Sequence, residues 1–172
     1  MAAAGRIERR LADLGLELPQ QPVPVGNYLP AARSGRLVFT SGQTARINGV
    51  RRYVGVVGQE VSQADAYLSA RDATLNCLAC VKQAVGSLDR VQRVVKVLGF
   101  VNVGADFGAH PTVIDGASDL LEQLWGPLGC HARSAVGLSS LPSNVSVEIE
   151  LVVEVRRGAA VSGPASGRGT VR

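Results

Sequence analysis

The chain has 172 residues, enough for one domain or at most two, and its 46% apolar and 19% charged residues exclude disorder throughout. The net charge of +4 is carried entirely by Arg156, Arg157, Arg168 and Arg172, so residues 1–155 are neutral and lack the basic face that nucleic-acid binding requires. No apolar run reaches the length of a membrane span, and the charged N-terminus is unlike a signal or transit peptide. We therefore expect a cytoplasmic protein that binds neither nucleic acid nor membranes.

The first third of the chain predicts a short helix followed by short strands. Residues 6–15 have helical apolar spacing, and residues 28–33 and 37–41 predict two strands around a tight turn. Asn48-Gly49 is a second turn signal, and residues 44–60 are expected to form a loop or an irregular edge strand. The predicted buried side chains of the first helix are Ile7, Leu11 and Leu14. A connector containing Pro19, Pro22 and Pro24 separates this helix from the strands.

Two long helices follow. Ser62 is suited to cap the first, which should run to about Val85 and end at Gly86. Pro111 can begin the second, which should end at Gly126. The buried stripe of the first helix is predicted to contain Tyr67, Ala70, Thr74, Leu78, Val81 and Val85. That of the second is predicted to contain Val113, Ala117, Leu120, Leu121 and Leu124.

Three further segments predict strands. Residues 90–103 are rich in β-branched side chains on both faces, which is typical of an interior strand. Residues 132–138 predict a short strand, 141–144 a turn, and 145–155 a strand with regular alternation. The side chains expected to face the helices are Val145, Val147, Ile149, Leu151, Val153 and Val155. Those expected on the other face are Ser146, Glu148, Glu150, Val152 and Glu154.

This order of elements indicates an α+β two-layer sandwich, in which one mixed sheet carries two long helices on one face. The opposite, half-apolar face would be bare in a monomer and therefore predicts an oligomer. No nucleotide-binding glycine motif occurs, so ATP and NAD chemistry have no support. Cys77 and Cys80 form a C-x-x-C inside a predicted helix. A zinc site could combine them with Cys130 and His131, but only the spacing of Cys77 and Cys80 is typical of metal ligands. We therefore predict that Cys77 and Cys80 are small residues on a packed helix face, and we expect no disulfide, metal or cofactor.

Arg133 and Glu148 are the candidate functional side chains. The fork of an arginine matches the two oxygens of a carboxylate and stays charged, and Glu148 lies on the strand face turned away from the helices. If residues 132–138 and 145–155 pair across the turn between them, the two side chains meet. They would then form either a catalytic pair or an ion pair that ties the strands together.

Several ordered motifs resemble the Rid family, the YjgF-like reactive intermediate deaminases that have also been labelled endoribonuclease L-PSP. The motifs are Pro24-Val25-Gly26-Asn27-Tyr28, Leu37-Val38-Phe39-Thr40-Ser41-Gly42-Gln43, Leu75-Asn76-Cys77-Leu78, Arg93-Val94-Val95-Lys96-Val97, Arg133-Ser134-Ala135-Val136, Leu141-Pro142 and Val147-Glu148-Ile149-Glu150. The resemblance covers about residues 15–155. It divides the chain into an N-terminal helical extension (1–15), a Rid-like domain (16–155) and a flexible basic tail (156–172).

The resemblance implies a chorismate-mutase-like fold assembled as a homotrimer, with three sites in clefts between neighbouring subunits. It implies hydrolysis of small 2-imino acids, or their enamine tautomers, to 2-oxo acids and ammonia, without metal or organic cofactor. Arg133 would clamp the substrate carboxylate, and Glu148 would hold or deprotonate the attacking water. Further contacts would come from Tyr28 and Ser41 of the adjacent chain and from backbone groups of Gly42 and Ala135. Taken alone, Tyr28 could equally be a packing residue and Ser41 a turn residue.

Two positions depart from the deaminase pattern. Ala135 stands where deaminase-type members often have a Cys, and Asp115 stands where they have a pocket Asn, so a carboxylate would face an anionic substrate. Alternatives to the imine deaminase are a non-catalytic trimeric module that binds a small carboxylate, and a hydrolase or deaminase that acts on another substrate of a dedicated pathway. Asp115 favours these two. Ribonuclease activity is the third alternative, although the neutral body lacks a His pair or a basic groove.

Overall fold

The computed structural model describes residues 5–20 and 26–157, which form three α-helices, three short 3-10 helices and eight strands. The helices are α1 (Arg6–Asp13), α2 (Gln63–Val85) and α3 (His110–Trp125). The strands are β1 (Ala31–Ser34), β2 (Leu37–Thr40), β3 (Gln43–Thr44), β4 (Arg46–Ile47), β5 (Val50–Arg51), β6 (Val91–Asn102), β7 (Ala132–Leu138) and β8 (Val147–Val155). The element order predicted from the sequence is therefore confirmed, and the segment 44–60 contains a small β4–β5 hairpin.

The main sheet has the order β1-β2-β8-β6-β7, and β3 pairs with β8 beyond the end of β2. β6 and β7 are parallel and are joined by the α3 crossover, whereas β8 is antiparallel to β2, β3 and β6. The mixed sheet and its helices confirm the α+β prediction. However, β6 lies between β7 and β8, so the predicted pairing of residues 132–138 with 145–155 is wrong.

Helix α2 has the predicted caps. The Ser62 hydroxyl accepts a hydrogen bond from the Asp65 amide at 3.0 Å, and Gly86 ends the helix in the left-handed region at φ 85°. The helix is buried over most of its circumference, because it packs against the sheet, α3 and the segment around β3 and β4. This wide contact explains why the helix buries polar residues as well as most of the predicted stripe. Tyr67 is the exception: it is only partly buried, and its hydroxyl donates to Asp119 of α3 at 2.8 Å.

Strand β8 alternates as predicted: every second side chain from Val147 to Val155 is fully buried, and those between are half-buried. Ser146 is an exception to the predicted faces. Its side chain is buried, and its hydroxyl donates to the Ser69 hydroxyl of α2 at 2.9 Å. It faces the helices because the chain bends before β8 begins, which breaks the alternation there.

Helix α1 packs onto the same core. Asp89 accepts hydrogen bonds from the amides of Arg6 and Ile7, at 2.7 and 2.9 Å, which satisfies two free donors at the helix N-terminus. Ile7 and Leu11 are buried, but Leu14 is 43% exposed, contrary to prediction, because the helix ends at Asp13.

Parts of the predicted connector and tail, residues 21–25 and 158–172, lie outside the described residues. Within residues 5–20 and 26–157, no helix combines the length and apolar character needed to cross a membrane.

Candidate functional site

A cavity of about 460 Å³ opens where β3 meets β8, and four of the seven predicted site residues line it. They are Tyr28, Ser41, Gly42 and Glu148. The remaining three, Arg133, Asp115 and Ala135, lie elsewhere, on α3 and β7. Within one chain, the predicted site residues therefore form two separate groups. We call the four residues at the cavity the glutamate half, and the three on α3 and β7 the arginine half.

Glu148 is the chemical centre of the glutamate half. Its side chain is half-buried on the sheet face turned away from the helices, beside Phe100 of β6. Burial raises the pKa of the Glu148 carboxyl, and the neighbouring charge of Glu150 raises it further. A carboxyl with a raised pKa in a concave site is suited to accept and return a proton.

Gly42 allows the Glu148 carboxyl to occupy its place. A β-carbon built on Gly42 would overlap that carboxyl, and no other residue type leaves this space. The backbone of Gly42 therefore lies directly against the candidate catalytic group, as close approach of a main chain to a reacting centre requires.

Tyr28 and Ser41 belong to one connected wall of the cavity. The Ser41 hydroxyl donates to the carbonyl of Leu29 at 2.6 Å, and the Ser41 amide donates to the carbonyl of Pro30 at 3.0 Å. These bonds tie the segment that carries Tyr28 to the end of β2. Tyr28 lines the cavity, and its side chain is 48% exposed there.

Arg133 is held by two residues of α3. Its Nη1 donates to Asp115 Oδ1 at 2.7 Å and to the Ser118 hydroxyl at 3.0 Å, while a quarter of the side chain remains exposed. The carboxylate expected to repel an anionic substrate is therefore paired with the arginine. The contact uses Nη1 alone, so the edge formed by Nε and Nη2 stays available for a second carboxylate.

Sequence reasoning missed two members of this half, Ser118 and His131. The carbonyl of Gly129 lies 2.6 Å from His131 Nδ1, and a carbonyl can only accept, so Nδ1 carries the proton. Nε2 then accepts from the Ser118 hydroxyl at 3.1 Å. The hydroxyl oxygen is thereby turned towards Arg133. Asp115 and Ser118 are three residues apart on one helix face, a spacing that could have indicated the pair.

The arginine half and the glutamate half do not meet within one chain. Arg133 is level with Val97 and Leu151, whose buried side chains face the helices, whereas Glu148 is level with Phe100 on the opposite face. An Arg133–Glu148 ion pair between adjacent strands, the structural alternative from the sequence, is therefore wrong. Ala135 lies two residues beyond Arg133 in β7, half-buried against the core.

The cysteines form no part of either half. Burial raises the pKa of the Cys77 thiol far above its ordinary value and that of Cys80 to about 11, so both stay protonated. The Cys77 thiol donates to the carbonyl of Ile149 at 3.2 Å, which ties α2 to β8. Over the described part of the chain, no three His, Cys, Asp or Glu side chains gather as metal ligands would.

Comparisons with known proteins agree on one family. The profile of the family described as "YjgF/chorismate mutase-like, putative endoribonuclease" matches residues 8–155. Protein TCP17 of Trypanosoma cruzi is 35% identical over 156 residues, which cover 90% of this chain and 98% of that protein. A 2-iminobutanoate/2-iminopropanoate deaminase of Dermatophagoides farinae is 29% identical over 141 residues, covering 81% of this chain and 94% of that protein.

A solved structure extends this likeness to the fold. A protein of unknown function from Agrobacterium tumefaciens superimposes with a TM-score of 0.83 at 42% sequence identity, over 88% of this chain and 93% of that one.

Proposed function

The chain belongs to the YjgF/chorismate mutase-like family, also called the Rid family, and from this premise we propose that it hydrolyses small 2-imino acids to 2-oxo acids and ammonia. Water adds to the imine carbon to form a carbinolamine, whose C–N bond then breaks to release ammonia and leave the ketone. The observation that carries the proposal is Glu148: a desolvated carboxyl of raised pKa in a cavity wide enough for a small acid.

The active site in this proposal is a cleft between two copies of the chain. One copy contributes the glutamate half and its neighbour contributes the arginine half, since the two lie on different faces of one sheet. Repetition of this head-to-tail contact closes into a homotrimer. The sheet face turned away from the helices supports the assembly, because Phe39 and Val136 are 41% and 43% exposed there. Val136 is directly opposite half-buried Phe100, and Phe39 is directly opposite half-buried Val152.

In this cleft Arg133 of one copy binds the substrate carboxylate through its Nε and Nη2 edge, held in place by Asp115 and Ser118. Glu148 of the neighbouring copy takes a proton from the attacking water and returns it to the departing nitrogen. The imine carbon is already electrophilic, so orientation and this proton transfer supply most of what the reaction needs.

One observation favours a second function, the non-catalytic binding of a small carboxylate. Asp115 stands where deaminase-type members have a pocket Asn, and it forms an ion pair with Arg133 at 2.7 Å. A protein that binds 2-oxo acids through Arg133 but does not accelerate imine hydrolysis would support this function and contradict the first.

Two impaired variants test both the chemistry and the divided site. In a coupled assay, in which a dehydratase generates 2-iminobutanoate, we expect Arg133→Lys to lower activity about 10-fold or more, since the lysine keeps the charge but loses the fork. Glu148→Gln should lower it further. Co-expression of the two variants should restore about a quarter of wild-type activity, because random trimers then contain that share of clefts with both halves intact.

Activity of the co-expressed proteins above the sum of the activities of the two separate variants would support the divided cleft. If activity only averages between them, each site lies within one chain and the divided cleft is wrong. If the purified wild-type protein leaves the hydrolysis rate of the imine unchanged, the deaminase proposal itself is wrong.

A further inference from the structure

Two arginines line the same cavity and have no assigned role. Arg46 of β4 and Arg51 of β5 are directly opposite one another in the hairpin that turns at Asn48 and Gly49. The Arg52 amide donates to the carbonyl of Ala45 at 2.9 Å, so the Arg46–Arg51 pair lies between two hydrogen-bonded pairs. In such a position the two side chains leave the hairpin on one side, with their β-carbons about 5 Å apart.

Like charges directly opposite one another destabilise a hairpin, and nothing in the described chain offsets this repulsion. Among residues 5–20 and 26–157, neither Arg46 nor Arg51 has an acidic partner. Arg52, the next residue, provides the contrast: it is paired with buried Asp72 at 3.2 Å and its guanidinium lies over the Tyr53 ring. Arg52, which lies outside the cavity, is therefore paired with a carboxylate. Arg46 and Arg51, which line the cavity, are not.

The hairpin is fixed to the body of the protein. The buried side chain of Asn76 in α2 donates to the carbonyls of Thr44 and Arg46, at 3.1 and 2.9 Å. The ion pair from Arg52 to Asp72 ties the other strand to the same helix. The two guanidinium groups are thus carried by an anchored hairpin rather than by a free loop, which lowers the entropy lost when they bind a ligand.

The hairpin begins close to the candidate catalytic carboxyl. Thr44 is directly opposite Glu148 in the sheet, and Arg46 lies two residues further along the chain. Glu148 and the arginine pair thus line one cavity. Its volume of about 460 Å³ exceeds what a four-carbon imino acid fills, which leaves room for a longer substrate.

We propose that Arg46 and Arg51 bind a second anionic group, a carboxylate or a phosphate, at the far end of the 2-imino acid. This inference rests on the proposed function, because it concerns the substrate of the same cavity. The preferred substrates are then the imines of amino acids with an acidic side chain. Arg133 holds the carboxylate next to the reacting carbon, and the arginine pair holds the distal anion.

Binding of the stable 2-oxo acid products tests the inference without reference to catalysis. By calorimetry, the wild-type protein should bind 2-oxoglutarate about 10-fold or more tightly than 2-oxobutanoate, because two arginine forks contact the added carboxylate. Arg46→Gln/Arg51→Gln should abolish this preference and leave the affinity for 2-oxobutanoate within about 2-fold. A phosphorylated 2-oxo acid, phosphohydroxypyruvate, distinguishes the two anions by which of them binds more tightly.

The matched control is Arg156→Gln/Arg157→Gln, which removes the same charge at exposed positions outside the cavity. It should retain the preference for the dianion, since a loss there would mean that overall charge alone attracts the ligand. Equal affinity of the wild-type protein for both 2-oxo acids would overturn the inference. So would a loss of trimer in Arg46→Gln/Arg51→Gln, which would assign the pair to contact with a neighbouring copy.

The two proposals fail in different ways. If the wild-type protein binds 2-oxoglutarate preferentially but does not hydrolyse any imine, only the deaminase function is contradicted. If it hydrolyses 2-iminobutanoate and 2-iminoglutarate at equal kcat/KM, with the latter supplied by a glutamate oxidase, only the arginine pair is contradicted.

Discussion

The two halves of the candidate site differ in how much of their geometry one chain supplies. In the arginine half, Arg133 has its position fixed by Asp115, Ser118 and, through Ser118, by His131. In the glutamate half, Glu148 faces an open cavity and is kept in place by what surrounds it rather than by a hydrogen-bonded partner in the described chain. In the proposed mechanism, the group that binds an anion is therefore preorganised, whereas the group that exchanges a proton is desolvated but left unpaired.

This difference has a physical reason. An arginine stays charged under all conditions, and its contribution to binding depends on holding the fork in one orientation. A general base works best when its pKa approaches the working pH, and a strong hydrogen bond or ion pair to its carboxylate would lower that pKa. The Asp115 pair and the unpaired Glu148 are thus suited to their separate tasks.

The largest effect should follow from Glu148→Gln, which keeps the shape of the side chain but removes the base. We expect kcat for 2-iminobutanoate hydrolysis to fall about 100-fold or more, since general acid–base catalysis contributes that much or more. KM should change little, and the melting temperature should stay the same or rise because a desolvated charge beside Glu150 is removed.

Glu154→Gln is the control for this variant. Glu154 lies on the same face of β8 but is paired with Arg36 at 3.0 Å, away from the cavity. Its activity should equal that of the wild type. A Glu148→Gln protein with near-normal kcat would show that the carboxyl does not transfer the proton.

A smaller loss should follow from Gly42→Ala. The added methyl group overlaps the Glu148 carboxyl, which is the end of a flexible side chain and can turn aside at little cost in stability. We expect activity to fall about 10-fold with the melting temperature nearly unchanged, because a displaced base loses its alignment with the water.

Gly108→Ala is the matched change, since a β-carbon at Gly108 meets no atom within 4 Å. It should leave activity intact. The combination of Gly42→Ala with Glu148→Gln should be no worse than Glu148→Gln alone, because both act on the same group. Additive losses would instead assign Gly42 a role of its own.

The sequence predicted the glutamate half better than the arginine half. Regular alternation in residues 147–155 is enough to predict that Glu148 faces away from the helices, since a strand with one buried face has one register. The bounds of β7 were predicted as well, but not its neighbour. Consecutive strands joined by a short turn often pair, whereas here the parallel β6–β7 contact depends on packing of α3, which no local pattern records.

The contacts that sequence reasoning missed differ in whether the sequence could have predicted them. Arg46 and Arg51 are placed symmetrically about Asn48-Gly49, and a two-residue turn fixes which residues are opposite, so their pairing could have been predicted. The contact of His131, the residue before β7, with Ser118 of α3 could not have been predicted, because it depends on how the helix is positioned over the sheet. Ser146 was assigned to the wrong face since the bend before β8 has no sequence signal.

The smallest predicted effect concerns His131 of the arginine half. Its titration should change the stability of the protein with pH in the direction opposite to that of Glu148 in the glutamate half. Burial lowers the pKa of His131 below its ordinary value of 6.5, and the charge of Arg133 lowers it further. The unfolded chain therefore binds a proton at His131 more readily than the folded chain, so its contribution to the free energy of unfolding is present above pH 6.5 and is lost as the pH falls below it. Glu148 has the opposite sign: its raised folded pKa removes stability as the pH rises above 4.5.

Urea unfolding of the wild type and of His131→Gln, compared at each pH between 7 and 5, isolates the histidine because all other titrations are shared. Gln keeps an acceptor for the Ser118 hydroxyl but carries no charge. The free energy of unfolding of the wild type should fall relative to that of the variant as the pH decreases through this range. Protonated His131 can no longer accept from Ser118, so the hold on Arg133 weakens and KM for the imine should rise over the same range in the wild type alone. Parallel curves for the two proteins would mean that His131 is not held neutral by its surroundings, and Arg133 would then be positioned by Asp115 without help from the histidine.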